Sequence, residues 1–347
     1  MITERTRQRF AELASYVEAT PHRDRWLVLT HDNPDPDALV AAAILARILA
    51  RRFHRDATTA YGGLIGRAEN REMVRALALE PLHLRSLDFG RFQRFALVDA
   101  QPGTGNNQLP ASVTADLVID HHPLRKATQA APFFDVRAEY GATATILAEY
   151  LEASGLEIPH SLATGLVYAI RTETREFGRE FAGPDKVVYD GLFPRARKRL
   201  LSRIQNASQS LAYFKNLHQA LENLESVDTL VVSHLGEVEQ PDIVPEIADL
   251  LLRMEGKTWS LATGVYGDRV YLSIRTTNPR ADAGAIMRRL VARRGKGGGH
   301  GMTAGGWVAA AKAPGGEPRA LQRQLAERLA RALDKKPEKL APLILEA

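Results

Sequence analysis

Strands alternating with amphipathic helices across residues 5–171 predict an α/β fold. The expected form is an N-terminal, mostly parallel sheet flanked by helices, a helical connector, and a smaller C-terminal α/β domain. Short apolar runs bounded by turn residues recur at 26–30, 95–99 and 115–120, with segments of helical length and period around them. Residues 185–226 are polar, helix-forming and free of strand signals. These features divide the chain into 1–184, 185–226 and 227–347.

Phe10, Leu13 and Val17 at helical spacing make 5–18 an amphipathic opening helix. WLVLT at 26–30 reads as a buried strand, and ALVAAAILARILARRF from Ala38 as the helix after it. A short strand near 57–61 and a helix near 68–78 follow. Further strands are expected at 82–87 (LHLRSL), 95–99 (FALVD) and 115–120 (ADLVID), and helices at 141–154 and 161–171, giving a sheet with helices on both faces. Beyond the connector, DTLVVSHL reads as a strand and PDIVPEIADLLLRMEG as a helix with Pro241 ahead of it. TWSLATGVYGDRVYLSIRTT reads as a hairpin turning at Gly267-Asp268, with Trp259, Tyr266 and Tyr271 as core or edge packing. A helix at 282–294, the loop GKGGGHGMTAGG, the strand WVAAA and a helix at 317–333 complete the second α/β unit.

At 347 residues, 45% hydrophobic and 25% charged, the chain suits a globular protein with a sizeable core. Its longest apolar run is interrupted by Arg47 and is too short to span a bilayer, and the N-terminus lacks the pattern of a signal peptide. A soluble, cytoplasmic protein without a membrane partner is therefore expected. The chain has no cysteine, which excludes thiolate-bound zinc and iron–sulfur clusters, so any metal must be held by imidazole and carboxylate. A net charge of +5 is a modest bias towards an anionic partner. Arg195, Arg197, Lys198 and Arg199, and Arg288, Arg289, Arg293, Arg294 and Lys296, form basic clusters that suit either an anion or a solvated helix face.

Chemistry concentrates at strand ends. HDNPDPD supplies His31, Asp35 and Asp37 just after the first strand, FALVD ends on Asp99, and ADLVID ends on Asp120 followed by His121 and His122. Taken singly, an aspartate ending a strand is an ordinary cap or turn former. Three strands delivering such groups to one sheet edge, where open α/β sheets bind ligands, point to a metal site. Two divalent cations about 3.5–4 Å apart need a bridging carboxylate, and together they activate water and stabilise the leaving oxygen of a phosphoryl displacement. Asp99, alone at its strand end, is the natural bridge. Mixed imidazole and carboxylate ligands suit manganese, with cobalt, iron or magnesium allowed by geometry. Asp120 or a backbone carbonyl can orient a ligating imidazole. Downstream, Gly297, Gly298 and Gly299 let amides approach an anion, and His300 adds a donor. Gly103-Thr104-Gly105-Asn106-Asn107 lacks the lysine and glycine spacing of a P-loop, which disfavours triphosphate hydrolysis.

Asp120-His121-His122, taken with HDNPDPD, Asp99, GLVYAIRTETREF at 165–177 and GGGHGMTAGG at 297–306, closely resembles the signature of the DHH phosphoesterase superfamily with its DHH-associated C-terminal domain. That superfamily includes nanoRNases, phosphoadenosine-phosphate phosphatases, cyclic-dinucleotide phosphodiesterases, single-strand exonucleases and manganese pyrophosphatases. The resemblance implies one metal on His31, Asp35 and Asp99, and a second on Asp37, Asp99, His121 and the acidic residue of the fourth motif, here Glu173. It implies that Asp99 and His122 are catalytic, with His122 touching the substrate phosphate or orienting the attacking water. Arg275, Gly297, Gly298, Gly299 and His300 would bind substrate, as would Asn106 beside the metal site. Two departures stand out: the fourth motif reads Thr172-Glu173-Thr174 where aspartate is usual, and Pro36 replaces a common glycine. The implied activity is hydrolysis of short single-stranded oligonucleotides or phosphoadenosine phosphate with two divalent ions, manganese first and magnesium or cobalt next. The resemblance also allows a homodimer. The alternatives are an exopolyphosphatase, a cyclic-dinucleotide phosphodiesterase, or a nucleotide-binding regulatory protein weakened by Glu173.

Overall fold

Six short apolar segments pair side by side in the first of two units of the computed structural model, which describes residues 2–178 and 181–343. The units comprise residues 1–207 and 208–347. In the first, the strands are β1 (Arg25–Leu29), β2 (Asp56–Tyr61), β3 (Leu82–His83), β4 (Arg94–Val98), β5 (Leu117–Asp120) and β6 (Phe133–Val136). They lie in the order β3-β2-β1-β4-β5-β6, all parallel. The helices are α1 (Glu4–Ala19), α2 (Pro36–Arg52), α3 (Ala68–Leu77), α4 (Thr143–Ala153), α5 (His160–Glu173), α6 (Gly183–Leu192) and α7 (Lys198–Gln205).

The strand order reverses between β1 and β4, and this reversal decides where the helices go. Right-handed crossovers from β1 to β3 lie on one face, and those from β4 to β6, running the other way, lie on the opposite face. The first set contains α2 and α3, whereas the second is built of loops with a one-turn 3₁₀ segment. One sheet face, with Trp26, Val28, Ala96, Val98 and Ile119, therefore packs under helices, while Leu27, Leu29, Leu97 and Val118 pack under loops and short turns. Helices on both faces, as the strand–helix alternation predicts, are not what forms. The segment 82–87 also differs from its expected strand. Only its first two residues pair, because the His83 ring accepts from Arg85 N at 3.0 Å and turns the chain into a 3₁₀ segment.

At the β6 edge a buried ionic knot replaces apolar packing. Arg137 is fully buried and donates to Asp135 Oδ2 through Nε at 2.9 Å and Nη2 at 2.6 Å, and to Glu149 Oε2 at 2.8 Å. Its Nη1 also donates to Thr6 Oγ1 at 2.9 Å and Tyr140 Oη at 3.1 Å, so one guanidinium joins α1, β6 and α4.

The second unit holds α8 (Leu211–Glu222), β7 (Leu224–Val227), β8 (Leu230–Glu237), α9 (Ile243–Leu251), β9 (Trp259–Tyr266) and β10 (Arg269–Thr276). It continues through α10 (Ala283–Val291), β11 (Gly295–His300), β12 (Thr303–Ala309), α11 (Pro318–Ala332) and β13 (Ala341–Pro342). The sheet order is β11-β12-β10-β9-β8-β7-β13, with only β8 and β9 parallel among the described residues. Residues of α10 and α11 pack against one face, and those of α8 and α9 against the other. The glycine-rich run expected as a loop is strand β11, paired with β12. Close packing explains three of its glycines: a Cβ on Gly297 would lie 2.8 Å from Met287 Cγ, one on Gly295 1.8 Å from the Trp307 carbonyl oxygen and one on Gly299 2.3 Å from that of Thr303, whereas Gly298 faces open space. The polar helical segment 185–226 divides between the units, with Val188, Leu192, Leu201 and Ile204 in the first core and Ala220 in the second.

Replacing Arg137 with methionine removes the guanidinium from buried Glu149 and leaves Asp135 only its longer pair with Arg5 at 3.3 Å, and a loss of about 3–5 kcal/mol is expected; urea unfolding of the full chain measures it. In the second unit, burial, with the charges of Arg319 and Arg323 adding to it, lowers the His234 imidazole from 6.5 to about 4. The folded form keeps His234 neutral, so its contribution is complete above about pH 6.5 and is lost as the pH falls towards 4, by about 3 kcal/mol at most. Stability measured between pH 7 and 4 should therefore be flatter in His234→Asn than in the wild type.

Candidate metal centre

All the candidate ligands of the first unit sit at the C-terminal edge of the sheet, around the point where strand order reverses. His31 follows β1, Asp99 follows β4 directly, and Asp120 ends β5. Such a reversal opens a crevice between two neighbouring strands, which is where α/β sheets bind ligands. Asp99 leaves β4 with φ of 55° and is only 2% exposed. A left-handed, non-glycine residue beside a strand end is uncommon and directs its carboxylate off the line of the strand.

Two triads share that carboxylate. His31, Asp35 and Asp99 offer one ligand atom each within 4.8 Å of one another, and so do Asp99, His121 and His122. His31 Nε2 lies 3.5 Å from Asp99 Oδ2 and 3.9 Å from Asp35 Oδ2. On the other side, His121 Nε2 lies 3.6 Å from Asp99 Oδ1 and 4.0 Å from Asp37 Oδ2. These separations are too long for good hydrogen bonds and leave room for a cation among the atoms. His121 Nε2 is also buried without a hydrogen-bond partner. A desolvated imidazole nitrogen aimed at two carboxylates fits a metal ligand, and the donor set suits a hard or borderline divalent ion.

The second nitrogens are fixed by the fold. His31 Nδ1 donates to the Asp32 carbonyl at 2.9 Å and His121 Nδ1 to the Tyr140 carbonyl at 3.2 Å, which leaves each Nε2 facing the carboxylates. Asp120 does not orient His121 through its ring. Its Oδ1 accepts from His122 Nδ1 at 2.9 Å and from the amides of His121 and His122 at 2.8 and 3.2 Å. Asp120 is held in turn by Gln101, whose Nε2 donates to Oδ2 at 2.6 Å. Asp35 caps α2, accepting from Ala38 N at 3.0 Å, and Pro36 takes the first helical position, where a missing N–H costs nothing. Asp37 is fully buried and accepts from the amides of Thr143 at 2.8 Å and Ala144 at 2.7 Å. Thr143 Oγ1 donates to Asp99 Oδ1 at 2.9 Å.

Glu173 is the last residue of α5 and lies outside both triads; its charge nonetheless reaches Asp37 and His122, raising the affinity of each for a proton. Asn106 is exposed on the loop after Asp99, and its carbonyl accepts from Asp32 N at 2.5 Å, tying that loop to the metal-centre loop. In the second unit Arg275 is 9% exposed and donates to Asp249 Oδ1 at 2.8 Å and Ser273 Oγ at 2.7 Å. Gly297, Gly298, Gly299 and His300 lie in β11, and the His300 side chain is outside the described residues. Gln101, Thr143 and the Tyr140 carbonyl are supporting groups that the motif pattern does not single out. Their only sequence signals are proximity to Asp99 and the helix start at Thr143.

Electrostatics mark the centre as a place of competing charges. Burial opposes a charged His31, but the close approach of Asp99 and the charges of Asp35 and Asp99 push it up to about 10. Burial likewise opposes a charged His122, which the Asp120 hydrogen bond and the Asp99 charge push up to about 9. Burial would raise Asp99, yet the nearby His31 imidazole and the charges of His122 and His121 hold it well below the usual carboxylate range. Asp37 goes the other way, raised by burial and by the charges of Asp99, Asp35 and Glu173.

Comparison with known proteins agrees with this geometry. The DHH family N-terminal domain matches residues 25–170 and the DHHA1 domain matches residues 228–334. The chain belongs to the DHH family, with a DHHA1 domain in its second unit. It is 36% identical over 290 residues to an uncharacterised protein of Methanocaldococcus jannaschii, covering 83% of this chain and 58% of that protein. It is 34% identical over 155 residues to a probable manganese-dependent inorganic pyrophosphatase of Deinococcus radiodurans, covering 43% of this chain and 47% of that protein. The chain thus spans about half the length of these curated relatives. An exopolyphosphatase-related protein of Bacteroides fragilis has the same fold, with a TM-score of 0.72 at 14% identity over 94% of this chain and 98% of its own. No helix among the described residues is long and apolar enough to cross a membrane.

A ligating His31 must be neutral, so a divalent ion competes with a proton there. Manganese binding should release protons and tighten as the pH rises from 6 to 9. Calorimetric titration in buffers of different ionisation enthalpy measures this; affinity independent of pH would contradict it.

Proposed function

We propose that the chain is a two-ion phosphoesterase that hydrolyses short oligonucleotides in the manner of nanoRNases and also acts on phosphoadenosine phosphate. The observation that carries this reading is the place of Asp99 between His31 and Asp35 on one side and His121 and Asp37 on the other, as a bridging carboxylate requires. His31, Asp35 and Asp99 would hold one ion, and Asp37, Asp99, His121 and Glu173 the other, with manganese preferred and magnesium or cobalt as substitutes. Bound ions would supply an activated water and neutralise charge on the phosphoryl group.

The remaining work falls to the chain's own groups. His122, bonded through Nδ1 to Asp120 and pushed up to about 9, brings a positive charge to the centre and would meet a substrate phosphate oxygen. Asn106 would contact substrate beside the metal centre. In the second unit, Gly297, Gly298, Gly299 and His300 would contact phosphate or base; Arg275 would join them by giving up part of its bonding to Asp249 and Ser273. The competing reading is attack on a phosphoanhydride, supported by the likeness to probable pyrophosphatases over 43% of this chain.

A panel run on the manganese-loaded full chain separates them: a dinucleotide, phosphoadenosine phosphate, a cyclic dinucleotide, pyrophosphate and linear polyphosphate. The dinucleotide should have the highest kcat/KM. A higher value for pyrophosphate or polyphosphate would replace the proposed substrate class, and no turnover with any of the five would favour a binding protein. Asp99→Asn should lower dinucleotide hydrolysis by at least about a thousandfold, on the order of 4 kcal/mol; wild-type turnover in that variant would sink the bridging role.

A further inference from the structure

We infer that Asp185, near the start of α6, is a positioning residue that holds one half of the metal centre and not the other. Its carboxylate is fully buried. Oδ2 accepts from Gly141 N at 2.8 Å and Ala182 N at 2.6 Å, and Oδ1 accepts from Thr145 Oγ1 at 2.5 Å. Two of these donors bracket the segment 141–145, so the carboxylate pins that turn at both ends.

The contacts that the turn and its neighbour Tyr140 make with the metal centre fall on the Asp37 and His121 side of Asp99. The Tyr140 carbonyl accepts from His121 Nδ1. The amides of Thr143 and Ala144 hold both oxygens of Asp37, and Thr143 Oγ1 reaches Asp99 Oδ1. The triad on the other side is held differently: His31 by the Asp32 carbonyl and Asp35 by the amide of Ala38. Burying a carboxylate is costly even when it is hydrogen-bonded, and an apolar side chain would fill the same space more cheaply. What the carboxylate supplies, and an apolar group cannot, is a fixed position for three donors at once.

This inference rests on the two-ion reading and predicts an asymmetric defect. Supporting groups behind metal ligands are worth about 10- to 100-fold in affinity. In Asp185→Asn one acceptor oxygen becomes an amide that faces donors, so binding of the ion at Asp37 and His121 should weaken at least about tenfold. Binding of the ion at His31 and Asp35 should stay within about twofold of wild type.

The test is manganese titration of the metal-free full chain, read by equilibrium dialysis for stoichiometry and by electron paramagnetic resonance for the spin-coupled pair. Wild type should bind two ions and develop the coupled signal. Asp185→Asn should retain one tight ion and lose the coupled signal at the same metal concentration. Thr145→Val, which removes a single donor, should move the same way by a smaller factor, and it decides the matter if Asp185→Asn does not fold. Equal weakening of both ions would mark Asp185 as merely structural, and two unchanged ions would give it no role; either result overturns the inference. A wild-type chain that binds only one ion would instead overturn the two-ion reading.

Discussion

Asp37 caps a helix that begins more than a hundred residues after it. The first amides of α4 have no partners within their own helix, and Asp37 takes two of them with its two oxygens. Because Asp37 also lies in the first turn of α2, the positive ends of two helices converge on one buried carboxylate. That contact fixes α4 against α2, places Thr143 beside Asp99, and draws the Tyr140 carbonyl to His121. The layout of the centre depends on it.

The same carboxylate carries a contested charge. Helix ends favour its ionised form, while burial and the neighbouring Asp99, Asp35 and Glu173 oppose it. The opposite occurs at His31 and His122, which their carboxylate neighbours hold protonated against burial. A group of acids and imidazoles in which protons balance charge is one in which divalent cations can replace those protons. The unpartnered Nε2 of His121 fits the same picture, since only its tautomer and orientation are settled by the protein.

Legibility in the sequence followed the distance over which each feature is made. HDNPDPD, Asp99 and Asp120-His121-His122 could be read because a strand end and the next few residues are one local unit, and three such units imply one sheet edge. The parallel sheet was legible for the same reason. Gln101, Thr143 and Asp185 were not, because nothing near them in the chain says what they will hold. The glycine-rich run at 295–306 reads as a loop because glycine is poor in strands, yet close packing against Met287 and the backbone of β12 makes glycine the residue that positions 295, 297 and 299 of β11 can use. Helices on only one face of the first sheet follow from crossover handedness combined with the loops that happen to join β4, β5 and β6, and composition alone cannot reveal that.

Asp185 lies beyond every candidate ligand of the first unit in the chain. During synthesis, a ribosome that has released residues 1–173 has exposed the whole set from His31 to Glu173, but the carboxylate that pins the 141–145 turn has not yet emerged. The groups that hold His31 and Asp35 lie within residues 31–38, whereas the turn behind Asp37 and His121 takes its pin from α6. The order of translation thus delivers the groups that back one half of the centre before those that back the other.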